Sequence, residues 1–225
     1  MDCRDEAEEH DHHGHEGHGH SHGGGGHGHS HGTPDDPEGN SLLKFIDTGR
    51  ITCLNEQVEG SGKTVFKTMM EKADDSRFVL SEEDDAELIF HIPFTVAVKL
   101  KSFCIIGGPN GEAPMHAKLF VNRDDVDFEM AHDLAPVQEF ELAEDFAGAI
   151  DYPVKASKFS NITSLTIFIP ENHGADSTRI TFIGLKGEGT TARRGVVECT
   201  YEARAQLKDH ESTRADASDA RGELL

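Results

Sequence analysis

Residues 158–169, K-F-S-N-I-T-S-L-T-I-F-I, contain neither glycine nor proline and place apolar side chains at both odd and even positions. A surface helix carries one apolar stripe and a half-exposed strand alternates. A run that is apolar on both parities suits a strand packed on its two faces. Its β-branched and aromatic residues fit a pleated surface. Pro170 stops the run, and Glu171-Asn172-His173-Gly174 reads as a turn. A second strand pattern, Arg179-Ile180-Thr181-Phe182-Ile183-Gly184-Leu185, follows directly. The expected centre of the fold is a long strand and its hairpin partner.

Shorter runs of the same character lie elsewhere. Ala86, Leu88, Phe90 and Ile92 share one face of a strand that Pro93 is expected to end. Val96-Ala97-Val98-Lys99-Leu100-Lys101 alternates; beyond Ser102 the apolar set spreads over both parities, which predicts a bulge or burial on both faces. Residues 42–47, 50–56, 117–121, 138–142 and 196–201 add further strand patterns, whereas residues 65–70 fit a short strand or a turn of helix. Loops rich in Gly, Pro, Asn and Asp separate these runs, and no helical periodicity of any length intervenes. The pattern predicts an all-β fold, an antiparallel β-sandwich of jelly-roll-like type. Outward Lys and Glu residues are suited to guarding its edge strands.

Residues 1–40 hold no Leu, Ile, Val, Phe, Tyr or Trp, and residues 211–225 are polar until the last two. Both read as disordered tails, the first a His/Gly-rich acidic tail and linker. Between them lies one domain, residues 41–210, long enough to bury roughly 70% of its unfolded surface. The formal net charge is −21. So acidic a surface repels phosphate backbones and anionic lipid, which argues against nucleic-acid and membrane partners; a monomer is expected. Cys3, Cys53, Cys104 and Cys199 form no C-x-x-C, the N-terminus is acidic, and no apolar run approaches the length of a membrane span. A reducing interior is the expected location.

Few constellations offer chemistry. Gly60-Ser61-Gly62-Lys63-Thr64 resembles the end of a phosphate-binding loop, but the required first glycine is Gln57, so an ordinary surface turn is the better account. No G-x-S-x-G or H-E-x-x-H is present, and His91, His116, His132, His173 and His210 read as surface histidines. No catalytic residues are assigned. The tail is chemically louder: G-H-G-H-S-H-G at residues 17–23 recurs at residues 26–32. His10, His12, His13, His15, His18, His20, His22, His27, His29 and His31 lie on this pliable stretch. Neutral imidazoles spaced H-x-H can gather around Zn²⁺, Ni²⁺ or Cu²⁺. A metal-buffering protein is therefore one alternative. A sugar- or small-molecule-binding sandwich is another, although Trp is absent and Tyr152 and Tyr201 are the only tyrosines.

An ordered series of segments carries a family resemblance. It runs through Cys53-Leu54-Asn55-Glu56, Asp84-Asp85-Ala86-Glu87-Leu88-Ile89, Val98-Lys99-Leu100, Lys118-Leu119-Phe120-Val121-Asn122 and Asp127-Phe128. It ends in residues 158–168 and in Thr178-Arg179-Ile180-Thr181-Phe182-Ile183-Gly184. Over residues 42–204 the chain resembles the PITH domain, the module named for proteasome-interacting thioredoxins. The resemblance implies a jelly-roll-like sandwich, a home in cytoplasm and nucleus, and association with the proteasome regulatory particle. It brings no catalytic residue and no cofactor. Without a C-x-x-C or any Trp, no thioredoxin chemistry carries over. The expected role is a non-enzymatic interaction module whose acidic loop, Ser81, Glu82, Glu83, Asp84 and Asp85, meets a partner beside the loops at residues 107–114 and 171–176.

Overall fold

A computed structural model of the chain describes residue 33 and residues 36–190. The His-rich tail, the strand pattern at residues 196–201 and the C-terminal tail lie outside the described residues. Eight strands are present among the described residues: β1 (Thr52–Leu54), β2 (Val79–Leu80), β3 (Leu88–Gly107), β4 (His116–Val121), β5 (Gln138–Glu141), β6 (Tyr152–Pro153), β7 (Ile162–Ile169) and β8 (Arg179–Gly189). Every pairing is antiparallel. The fold is the expected jelly-roll-like β-sandwich.

Its organising element is β3. The first half, Leu88 to Pro93, pairs with β7 on one side and, through Ile89 to His91, with β1 on the other. The second half, Val98 to Gly107, pairs with β8 and, at Ser102 and Phe103, with β6. One strand therefore serves both layers, β5-β4-β7-β3-β1 and β2-β8-β3-β6. A straight strand of this length would span on the order of 60 Å. Instead, Leu88 sits opposite Ile169 and Gly107 opposite Ile180, so both ends of β3 flank the single connection at residues 170–178. The strand is bent back on itself.

Pro93 does not end the strand, as its sequence position suggests, but marks the corner. It still pairs with Ser164, and the register shifts between Pro93 and Val98, where β3 leaves β7 for β8. A proline has no N–H to give the ladder, and a bulged corner is where that loss is tolerated. Its carbonyl accepts from Asp47 N (2.9 Å). The second irregularity, beyond Leu100, matches the expected bulge: the register shifts between Leu100 and Ser102, and Phe103 to Ile106 are all buried.

The inner core joins both layers: Leu88, Phe90 and Ile92 meet Leu100, Phe103 and Ile105, with Leu165 and Ile167 from β7 and Ile183 and Leu185 from β8. The outer faces are apolar too. Ile89, Phe120 and Phe168 are covered by the short helix α1 (Phe128–Asp133), and Cys104, Ile106 and Phe182 pack against Met69. Besides Pro93, the expected strand pattern at residues 42–47 gives way to a 3-10 turn, Leu43–Phe45, and three further sequence expectations change. β7 begins at Ile162, residues 158–161 being a turn and bend that still buries Phe159. β7 and β8 are not a hairpin, because β3, apolar on both faces, lies between them and pairs with each. Helix α1 was not foreseen, since six residues are too few to show periodicity; its signal is the N-cap, where the Asp127 carboxylate accepts from Met130 N (2.9 Å).

Phe90 is fully buried in the inner core, and Val58 is 64% exposed. Phe90→Ala should lower the free energy of unfolding by about 3–5 kcal/mol, whereas Val58→Ala should change it by no more than about 0.5 kcal/mol. Denaturant titration of the two variants checks the difference.

Candidate functional site

The bend in β3 delivers three loops to one end of the sandwich. Residues 81–87 lead into Leu88, residues 108–115 leave Gly107, and residues 170–178 run between them. Backbone bonds stitch them together: Ser81 N to Thr178 O (2.9 Å), Gly108 N to Arg179 O (2.8 Å), His173 N to Ala113 O (3.1 Å) and Met115 N to Glu171 O (2.9 Å). Side chains finish the join. Thr178 Oγ1 donates to Ala86 O (2.6 Å), and Asn172 Oδ1 accepts from Gly174 N (2.9 Å) and Ala175 N (3.1 Å). The three loops named from sequence are thus one face.

Within that face, Glu82, Glu83, Asp84 and Asp85 are exposed. Ser81 is not: it is fully buried, and its hydroxyl accepts from Thr178 N (2.8 Å). It anchors the loop. Asn55 holds the loop's far side, taking a left-handed φ of 67° and donating from Nδ2 to Glu87 O (2.8 Å). Asparagine tolerates that backbone region. The four carboxylates therefore sit on a tethered spur.

The remaining sequence candidates fall in separate places. The amides of the glycine loop that mimics a phosphate cradle are already taken. The Glu56 carboxylate accepts from Gly60 N (2.5 Å), Gly62 N (2.6 Å) and the Ser61 hydroxyl (3.2 Å). The protein's own anion occupies the nest. His91 faces Thr166, whose hydroxyl donates to Arg123 O (2.5 Å) and so accepts from His91 Nδ1 (3.0 Å). That chain of bonds places the imidazole proton on Nδ1 and leaves Thr166, fully buried, no role as a nucleophile. Burial pushes the His91 imidazole below its ordinary value, against the pull of Asp124 and Asp125. His116 meets Glu171 (2.8 Å), His132 meets Glu87 (2.6 Å) and His173 Nε2 bonds Leu142 O (3.2 Å).

Among the described residues, no group of three or more His, Cys, Asp or Glu side chains is placed to hold a metal ion. The candidate ligands His10 to His31 lie outside them. Burial pushes the Cys104 thiol up to about 11 and the Cys53 thiol higher still, with Asp151 and Asp145 adding at the first and Glu56 at the second. Neither offers a thiolate near neutrality. Tyr152 stacks on Phe103 (5.4 Å between centroids), and its hydroxyl accepts from Ala143 N (2.9 Å), so it is half-buried and packed against the core.

A cleft of about 230 Å³ opens between residues 36–46, the turn Met69–Glu71 and β8. Its lysines have structural partners. Lys67 Nζ donates to the carbonyls of Asp74 and Arg77, Lys72 to Gly148 O (3.4 Å), and Lys186 pairs with Asp151 (2.7 Å) and Glu38 (3.4 Å). The cleft is a joint between the linker and the sandwich.

The PITH domain family model matches residues 32–205, and the chain belongs to that family. PITH domain-containing protein 1 of Dictyostelium discoideum is 45% identical over 178 residues, covering 79% of this chain and 88% of that protein. PITH domain-containing protein 1 of Homo sapiens is 44% identical over 170 residues, covering 75% and 80%. Among solved structures, the chain is similar to CBM32-3 from a family 31 glycoside hydrolase of Clostridium perfringens, with a TM-score of 0.42 and 14% identity over 64% of this chain and 96% of that one. A family 89 glycoside hydrolase from the same organism gives a TM-score of 0.48 and 14% identity over 71% of this chain and 16% of that one.

Beside the three loops, the buried Asp145 carboxylate gathers backbone amides from Ala147 (2.9 Å), Gly148 (2.7 Å) and Ile150 (2.8 Å). Burial acts to raise its pKa, but the combined N–H donation outweighs that and holds it below the ordinary value. A depressed folded pKa contributes stability above the unfolded value of about 3.9, and that contribution is lost as pH falls through the folded pKa. Wild type should therefore exceed Asp145→Asn in stability most at neutral pH, and the gap should close as pH drops below about 4. Thermal melts of both proteins across that range check it.

Proposed function

We propose that this PITH domain is a non-enzymatic protein–protein interaction module that associates, as a monomer, with the proteasome regulatory particle in cytoplasm and nucleus. Family membership supports the reading, and the observation that carries it is the tethered acidic spur formed by Glu82, Glu83, Asp84 and Asp85 on a face of three joined loops. A spur held by Ser81, Thr178 and Asn55 loses little conformational freedom on contact, which favours association. Four clustered carboxylates steer a basic partner surface and raise the on-rate more than the affinity.

A second reading concerns the tail. Its duplicated G-H-G-H-S-H-G motif favours Zn²⁺, Ni²⁺ or Cu²⁺ binding through His10, His12, His13, His15, His18, His20, His22, His27, His29 and His31. Calorimetry with and without residues 1–40 decides whether metal affinity resides there.

Capture from cell extract with the full chain at low salt, read by mass spectrometry, tests the main reading. Regulatory-particle subunits should be enriched, and reversal of Glu82, Glu83 and Asp84 to Lys should slow association by about tenfold. Failure to recover any regulatory-particle subunit at low salt overturns the reading.

A further inference from the structure

Next to the loop face, and sharing Gly107 to Pro109 with it, lies a pit of about 250 Å³ lined by Asp75, Gly108, Pro109, Phe146, Arg179 and Thr181. Two features set it apart. Four large hydrophobic side chains are exposed among the described residues, and two of them, Phe78 (37%) and Phe146 (56%), stand at Arg179. Four arginines are described; Arg50, Arg77 and Arg123 each have a carboxylate partner, and Arg179 has no ion pair among the described residues. In a chain carrying 42 acidic side chains against 21 basic ones, that is an uncommon position for a guanidinium.

The local structure holds it so. Arg77 takes both Glu71 (2.7 Å) and Asp74 (3.0 Å), and Asp145 is committed to backbone amides; Asp75 and Glu112 stand close to Arg179 but form no ion pair with it among the described residues. The Arg179 guanidinium lies over the Phe78 ring, its Cζ 3.9 Å from the ring centroid. Gly108 lets its stem lie against the backbone: a Cβ there would come within 2.7 Å of Arg179 Cβ. Nε is buried without a partner, and Nη2 has one long bond, to Asp75 O at 3.4 Å. An unsatisfied buried donor raises the free energy of the unbound state, and an arginine stacked on one aromatic ring beside an exposed second one is the composition of an interface anchor.

We infer that this pit is a docking pocket for an acidic peptide segment of a partner protein: a side-chain carboxylate bridges to the Arg179 guanidinium while an adjoining apolar side chain packs against Phe146. The volume suits a single anchoring side chain. The exposed Asp75 and the nearby Glu112 oppose a second negative charge, so the pocket selects one carboxylate flanked by apolar residues over a polyacidic run. The inference rests on the docking reading in taking the occupant to be a protein, and not on which assembly supplies it.

Amide chemical shifts of the full-length ¹⁵N-labelled chain, titrated with three probes, provide the test. The probes are acetyl-Leu-Glu-Leu-amide, acetyl-Leu-Gln-Leu-amide and acetyl-Leu-Leu with a free carboxylate. Saturable shifts at Gly107, Gly108, Arg179 and Thr181 are expected with a carboxylate probe, about tenfold weaker with the Gln peptide. Acetyl-Leu-Glu-Leu-amide should bind the tighter of the two carboxylate probes, because the occupant is a side-chain carboxylate within a segment; tighter binding of the free chain end contradicts that. Arg179→Gln and Phe146→Ala should each weaken binding at least about fivefold, and Asp75→Asn should tighten it. Equal affinity for the Gln peptide, no response to either carboxylate, or shifts elsewhere overturn the inference. If Arg179→Gln fails to fold, Phe146→Ala, at an exposed position, and Asp75→Asn carry the test. Proteasome capture that survives while peptide binding is lost refutes the pocket alone; peptide binding that survives without capture refutes the assembly alone.

Discussion

The bend of β3 between Pro93 and Val98 is the constraint on which the rest of the structure depends. By pairing with β7 before the corner and β8 after it, one strand sits inside both layers and closes the core from each side. A strand used this way must be apolar on both faces along most of its length, and Leu88, Ile89 and Phe90, then Phe103 to Ile106, satisfy that in consecutive positions. The same bend returns the two ends of β3 to the connection at residues 170–178. The acidic loop before β3 and the glycine loop after it are thereby neighbours, although some twenty residues of strand separate them. The candidate face is a consequence of the core.

That origin bears on what the face can do. Its loops are bonded to one another through Ser81, Asn172 and Thr178, so its charges are presented by a preformed surface. The carboxylate of Glu56 is committed to loop amides, the buried hydroxyl of Thr166 to a carbonyl, and the two described thiols are kept protonated by burial. The face presents four exposed acids on a spur, and near it a half-buried arginine stacked on Phe78.

The β character of the chain, the turn chemistry and most of the core were legible in the sequence because strand patterning is local: Leu88, Phe90 and Ile92 alternate, and residues 103–106 announce burial on both faces. Pairing was not legible. Residues 162–169 and 179–189 follow one another closely, which suggests a hairpin, yet the strand that separates them lies more than fifty residues upstream. Pro93 looked like a stop because its missing N–H is a local property, whereas the corner that accommodates it is tertiary. Ser81 looked like part of a polar loop; only the placement of Thr178 explains its burial. Arg179 sat within an ordinary strand pattern, and nothing local marks it as the described arginine left without a carboxylate.

Native-state hydrogen exchange tests the central claim directly. If β3 is one structural unit shared by both layers, the amides of Phe90 to Ile92 and those of Phe103 to Ile105 should exchange only through global unfolding, with the same opening free energy and the same response to denaturant. If one half opens several kcal/mol below the other, each layer closes its own core, and the bend does not hold the loop face together.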